Sequence, residues 1–170
     1  WMPPVDLEEM LAGLDGYFIE NRGQVSNEEV LFYAPGDPLS IGLTKDGMIL
    51  SKMGDVNLGP GPDPMTTTRS FVSVRTKFIG CNPVDPEGIS SRTHRCNYFR
   101  GDDTDLWLSD VRTYEEVHYE TLYDGIDLRF YFKEDMFKYD FIVKPSSDPS
   151  DIVVDYMGVT DLSIDSSTGD

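Results

Sequence analysis

Along most of the chain apolar and polar residues alternate with a period of two, the pattern of half-buried β-strands. In residues 126–132, Ile126, Leu128, Phe130 and Phe132 alternate with Asp127, Arg129 and Tyr131. In residues 137–143, Phe137, Tyr139, Phe141 and Val143 alternate with Lys138, Asp140 and Ile142. Only Glu134, Asp135 and Met136 separate the two runs, which predicts an antiparallel hairpin with one aromatic-rich face. Such a face has to bury itself against a second layer, so a sandwich is expected. Residues 70–79 alternate in the same way, with Val72, Val74, Thr76 and Phe78 opposite Ser73, Arg75 and Lys77.

The remaining strands are signalled by their turns. Asp46-Gly47 supplies the residues of a type I′ turn, predicting a hairpin over residues 40–52 in which Leu43 faces Leu50 and Thr44 faces Ile49. Residues 30–34, 152–157 and 161–164 read as further strands, and 53–69, rich in Gly and Pro, as a long irregular loop. The exception is 6–14. There Asp6 can cap a helix, Glu9 stands at the capping-box position, and Leu7, Met10, Leu11 and Leu14 form one stripe. The expected fold is therefore all-β, an antiparallel β-sandwich with one short N-terminal helix. Residues 1–15 form a helical lead-in and 16–170 a single domain, which either lacks a final strand or continues into further domains.

Composition narrows the partners. A length of 170 residues suits one core. The net charge of −17 repels phosphate backbones and anionic lipid, so neither nucleic acid nor a membrane surface is an expected partner. No apolar run approaches the roughly 18 residues of a spanning helix, and direct membrane insertion is not expected.

Chemistry-bearing residues are few. No Gly-x-Ser-x-Gly elbow, P-loop or dinucleotide fingerprint occurs, and His94 and His118 have no partner at a catalytic spacing; no catalytic residue is expected. Cys81 and Cys96 bracket a loop of Pro, Gly and Ser. A disulfide between them, contributing roughly 3 kcal/mol, is expected over two partly buried free thiols, and it would fit an oxidising compartment. Asp102, Asp103 and Asp105 offer calcium the hard oxygen ligands it favours, although the loop does not match an EF-hand and turn formation also explains them. Asp161, Asp165 and Asp170 form a second acidic group. Trp107 and Tyr131 are the candidate platform for a sugar ring, with a core or rim anchor as the other reading of Trp107. Glu20, Asn21 and Arg22 lie between apolar flanks and read as a structural polar cluster with Arg22 as a buried tether; a ligand-facing cluster is the alternative.

Several segments, in order, carry a family resemblance: residues 18–25 (Phe-Ile-Glu-Asn-Arg-Gly-Gln-Val), 43–47 (Leu-Thr-Lys-Asp-Gly), 78–83 (Phe-Ile-Gly-Cys-Asn-Pro), 97–101 (Asn-Tyr-Phe-Arg-Gly), 123–128 (Tyr-Asp-Gly-Ile-Asp-Leu) and 139–143 (Tyr-Asp-Phe-Ile-Val). Over roughly residues 16–170 the chain resembles the amino-terminal domain found ahead of β-propeller-type (SBBP) repeats in large secreted proteins of bacteria and archaea. The resemblance implies a β-sandwich on a secreted or cell-surface protein and no catalytic residues. Cys81 stands where that family's pattern has Ala, and Cys96 directly precedes the Asn-Tyr-Phe segment, which strengthens the expected pairing. The expected function is a non-catalytic structural or adhesive module of an extracellular or cell-surface multidomain protein. Its partners would be other domains of the same chain or surface proteins. The alternative is a carbohydrate-binding module, with glycans as partner and calcium as the candidate cofactor.

Overall fold

Ten strands account for most of the computed structural model, which describes residues 16–36, 39–57, 68–134 and 136–159. They are β1 (Phe18–Glu20), β2 (Phe32–Ala34), β3 (Leu39–Thr44), β4 (Gly47–Asn57), β5 (Thr68–Ile79), β6 (Glu87–Tyr98), β7 (Leu108–Tyr123), β8 (Ile126–Lys133), β9 (Met136–Val143) and β10 (Val153–Met157). Single 3-10 turns occupy Thr104–Leu106 and Pro149–Asp151. The N-terminal helix expected over 6–14 and the strand expected over 161–164 lie outside the described residues. Among the described residues no helix is long and apolar enough to cross a membrane.

Every strand pair is antiparallel, in the order β10-β5-β4-β3-β2-β1-β7-β8-β9, with β6 also on β7. The pivot is β7. Tyr114 pairs with Phe18 of β1 and with Ser91 of β6, while Val117 pairs with Phe130 of β8 and with Gly88 of β6. A strand has two edges, so β6 runs along one of them and β1 and β8 take successive stretches of the other. The sheet forks there. One arm runs through β1 to β10 and the other through β8 and β9, and both curl around the same apolar interior. The all-β antiparallel expectation stands, but not as two separately bonded sheets: β7 joins both arms into one curled sheet, a half-barrel.

The arms meet through their aromatic residues. Phe78 of β5 packs edge-on against Phe141 of β9 at 5.8 Å, and Phe18 of β1 lies 5.1 Å from Phe132 of β8. Tyr119, fully buried on β7, donates its hydroxyl to the Thr44 carbonyl at 2.6 Å, and Tyr123 reaches the Val153 carbonyl at 3.2 Å. The alternation in β8 reads as the sequence predicts, with Ile126, Leu128 and Phe130 fully buried.

Two local expectations change. The β3–β4 turn is centred on Lys45-Asp46, because Thr44 pairs with Gly47, Leu43 with Met48 and Gly42 with Ile49. Gly47 serves a different purpose from turn geometry: a Cβ there would lie 2.0 Å from the Thr76 carbonyl oxygen, so its missing side chain lets β4 approach β5. The region read as a loop over 53–69 is shorter, since the β4–β5 ladder continues through a register shift to Asn57 opposite Thr68.

Candidate functional site

The β6–β7 hairpin closes at the pair Tyr98–Leu108 and leaves residues 99–107 as its tip. Turn chemistry shapes that tip. Gly101 adopts a positive φ of 67°, and the Asp103 carboxylate caps the 3-10 turn by accepting from the Asp105 N–H at 3.1 Å. Trp107 donates its indole N–H to the Gly101 carbonyl at 3.2 Å. Its ring meets Phe99 at 5.2 Å between centroids, inclined by 65°. These apolar groups face solvent: Phe99 is 61% exposed, Leu106 68% and Trp107 42%.

The tip is tethered at its base. The Arg100 guanidinium donates to the Gln24 carbonyl at 3.0 Å and lies 5.8 Å from the Tyr98 ring centroid. Tyr98 and Tyr33 share a hydroxyl contact of 2.5 Å; burial, then the Tyr33 hydroxyl, pushes the Tyr98 phenol well above its usual range. The loop that receives Arg100 is itself fastened from within. Asn21 donates to the carbonyls of Val30 at 2.7 Å and Val25 at 3.3 Å, and accepts from the N–H groups of Gly23 and Val25, each at 3.1 Å. Gln24, buried, donates to the Glu20 carbonyl at 2.6 Å and accepts from the Arg22 N–H at 2.7 Å. The cluster at Glu20, Asn21 and Arg22 thus organises a loop. Arg22 is exposed and joins it through its backbone, so the buried tether expected there is Gln24 instead.

The expected disulfide does not form: Cys81 and Cys96 are both free. The ladder shows why. Asn82, next to Cys81, bonds to the Leu122 carbonyl, whereas Cys96 pairs with Val111. Leu122 and Val111 stand eleven residues apart on β7, roughly 36 Å at about 3.3 Å per residue, against a limit of about 7 Å between bridged Cα atoms. Cys96 instead lies 3.7 Å from the His94 ring. Burial raises the Cys81 thiol above its ordinary value, and the Asp46 carboxylate adds to the effect.

Trp107 and Tyr131 do not share a platform. Tyr131 pairs with Glu116, about nine residues along β7 from Trp107 and so roughly 25–30 Å away. Its ring carries the Arg129 guanidinium at 4.6 Å, and Arg129 is bonded in turn to Asp140 at 2.7 Å. That hydrogen bond, chiefly, holds the Asp140 carboxyl below the usual carboxylate range. Asp102, Asp103 and Asp105 are exposed around the hairpin tip, and among the described residues no group of three or more His, Cys, Asp or Glu is arranged to hold a metal ion. Asp161, Asp165 and Asp170 lie outside the described residues. His118 bonds Glu116 at 2.7 Å on the outer face of β7.

A shallow cleft of about 440 Å³ beside the β3–β4 turn is lined by Glu29, Thr44, Asp46, Arg75 and Lys77 among others. Four of its charges pair within it, as Arg75–Glu29 at 2.8 Å and Lys77–Asp46 at 3.2 Å, and Lys45 at its rim pairs with Asp85 outside it. Burial pulls the Asp46 carboxyl upward, but the hydrogen bond and charge of Lys77, with the Thr44 hydroxyl and the Arg75 charge, together hold the carboxyl low. The hairpin tip, by contrast, holds unburied aromatic surface on a fastened support.

Phe99 and Leu106 were not singled out by sequence reasoning. The available signal was their company: large apolar residues inside a segment of turn composition, Arg-Gly-Asp-Asp-Thr-Asp. No curated protein and no solved structure matches the chain. A family model does, across residues 18–170, and on that match the chain belongs to the family described as Domain of unknown function (DUF7948).

Proposed function

We propose that this domain is a non-catalytic structural and adhesive module of a large extracellular or cell-surface protein, and that the β6–β7 tip is where it meets its partner. The partner is another domain of the same chain or a second surface protein. The observation that carries this reading is the exposure of Phe99, Leu106 and Trp107 on one tethered loop. Grouped apolar surface of this kind marks interaction sites, and tryptophan is enriched among the residues that dominate binding energy. The resemblance to amino-terminal domains that precede SBBP repeats supports the extracellular, multidomain setting. It also supports grouping the two facing arms of the curled sheet with β-sandwiches.

Hydroxyl-radical labelling of Trp107, read by mass spectrometry on the peptide that carries it, is compared in the isolated domain and in the full-length natural protein on its native surface. Trp107 is expected to be accessible in the first and shielded at least twofold in the second. Equal labelling in both would overturn the reading. Within the 170 residues the tryptophans are Trp1 and Trp107, so in the isolated domain Trp1→Phe leaves Trp107 as a single fluorescent reporter.

Carbohydrate binding is the second reading, favoured by the exposed Trp107 ring. It requires glycan-array signals that vanish in Trp107→Ala and persist in Tyr131→Ala. A calcium-assisted version also requires those signals to fall in a chelator.

A further inference from the structure

We propose that the β6–β7 tip recognises a cationic, arginine-bearing segment of a protein partner. This rests on the tip being the contact surface, and it adds the chemistry of what is bound.

Residues 99–107 combine two properties in one loop. The first is aromatic surface, from Phe99 and Trp107, inclined to each other and open to solvent. The second is the set of exposed carboxylates on Asp102, Asp103 and Asp105. Among the described residues none of the ion pairs engages these three. The acids that are paired lie elsewhere, as in Lys45–Asp85, Arg95–Asp110 and Lys144–Asp127. The loop's own cation, Arg100, is turned back onto the Gln24 carbonyl and the Tyr98 ring, so it does not neutralise the tip.

A guanidinium satisfies both properties at once. It stacks on an aromatic face and donates in parallel to a carboxylate. A neutral sugar would use the rings and donate hydroxyls to the carboxylates, but it would leave their charge uncompensated, and an anionic partner would be repelled. The net charge of −17 acts in the same direction, steering cationic segments inward from long range. It also disfavours a second copy of the chain as the occupant.

The test uses the full 170-residue chain carrying Trp1→Phe, titrated with a ten-residue peptide alternating Gly and Arg while Trp107 emission and calorimetry are followed. Saturable binding that perturbs Trp107 and weakens with added salt is expected. Trp107→Ala leaves net charge unchanged and should weaken binding about tenfold in the calorimetric titration. Neutralising the tip with Asp102→Asn, Asp103→Asn and Asp105→Asn should weaken it by a similar factor, with Asn still able to cap at 103. A control variant removes the same charge at the other end of β7 and beyond, with Glu120→Gln, Asp124→Asn and Asp151→Asn. It should stay within twofold.

Equal weakening by the two neutralised variants would mean diffuse attraction to an acidic protein and would overturn the proposal. So would an unchanged affinity in Trp107→Ala, or glycan binding through Trp107 without any peptide binding. Shielding of Trp107 in the full-length protein without peptide binding refutes the cationic partner alone. An accessible Trp107 there refutes the contact-surface reading on which it rests.

Discussion

Raising the pH above 10 should unlock the two arms of the sheet by way of Tyr119. Its phenol is fully buried on β7 and donates at 2.6 Å to the Thr44 carbonyl of the opposite arm. Burial, with the negative charges of Asp46 and Cys81 adding to it, pushes the phenol far above its ordinary value near 10. In the unfolded chain the same phenol ionises normally. The folded state therefore holds a proton that the unfolded state gives up once the pH passes about 10. The contribution is complete below that pH and is lost as the pH rises toward the folded value. One such group costs about 1.4 kcal/mol per pH unit above 10.

Urea melts at pH 8, 9, 10 and 11, run on the wild type and on Tyr119→Phe, isolate this effect. At pH 8 the variant should be less stable by about 1–2 kcal/mol, since it removes a buried hydrogen bond and leaves an acceptor less satisfied. Between pH 8 and 11 the wild type should lose about 1.4 kcal/mol that the variant does not lose, most of it above pH 10, so the gap between them closes. Other tyrosines titrate in both proteins and cancel in the difference; Tyr139, pushed up to about 12 mainly by burial, is one of them. Two curves that stay parallel from pH 8 to 11 would refute the placement of Tyr119 as a buried, proton-holding bridge.

Three further outcomes follow from local geometry. Gly47→Ala should lower stability by about 2–3 kcal/mol in denaturant melts, because its Cβ would meet backbone, the Thr76 carbonyl oxygen, which cannot rotate away. Asn21→Ala removes a side chain that makes four hydrogen bonds within one loop. It should cost about 2 kcal/mol in the same assay and raise the proteolysis rate near residues 22–30. Protein kept under air should show two titratable thiols after unfolding, and its mass should not change on reduction. In the native state Cys96 should react with iodoacetamide faster than Cys81, whose thiol burial pushes up.

How much of this was legible in the sequence depends on which side of each strand carries the information. In β8 the inward residues are apolar and the outward ones polar or charged, so a period of two gives both the strand and its buried face. In β6 no residue is fully buried, so Glu87–Tyr98 shows no alternation to find. Periodicity also says which face is buried but not which strand lies alongside. The fork at β7, where β1 and β8 share one edge, follows from pairing alone. The cysteine pair shows the same limit: fifteen positions apart in the chain, Cys81 and Cys96 look close, yet β6 runs between them as an extended strand.

The hairpin tip was read for its acids and for Trp107 but not for Phe99 and Leu106, and the reason is physical. An exposed Phe99 and a buried Phe130 are the same residue in a sequence, and only the surrounding chain decides which one meets water. Turn-forming Asp and Gly residues around Phe99, Leu106 and Trp107 force the backbone to reverse there, which keeps those side chains away from the interior. The same Asp residues then surround aromatic surface with negative charge. Turn chemistry and candidate recognition chemistry are therefore one set of residues, which is why a reading of the loop as turn, or as metal ligands, accounts for Asp102, Asp103 and Asp105 and leaves Phe99 and Leu106 unexplained.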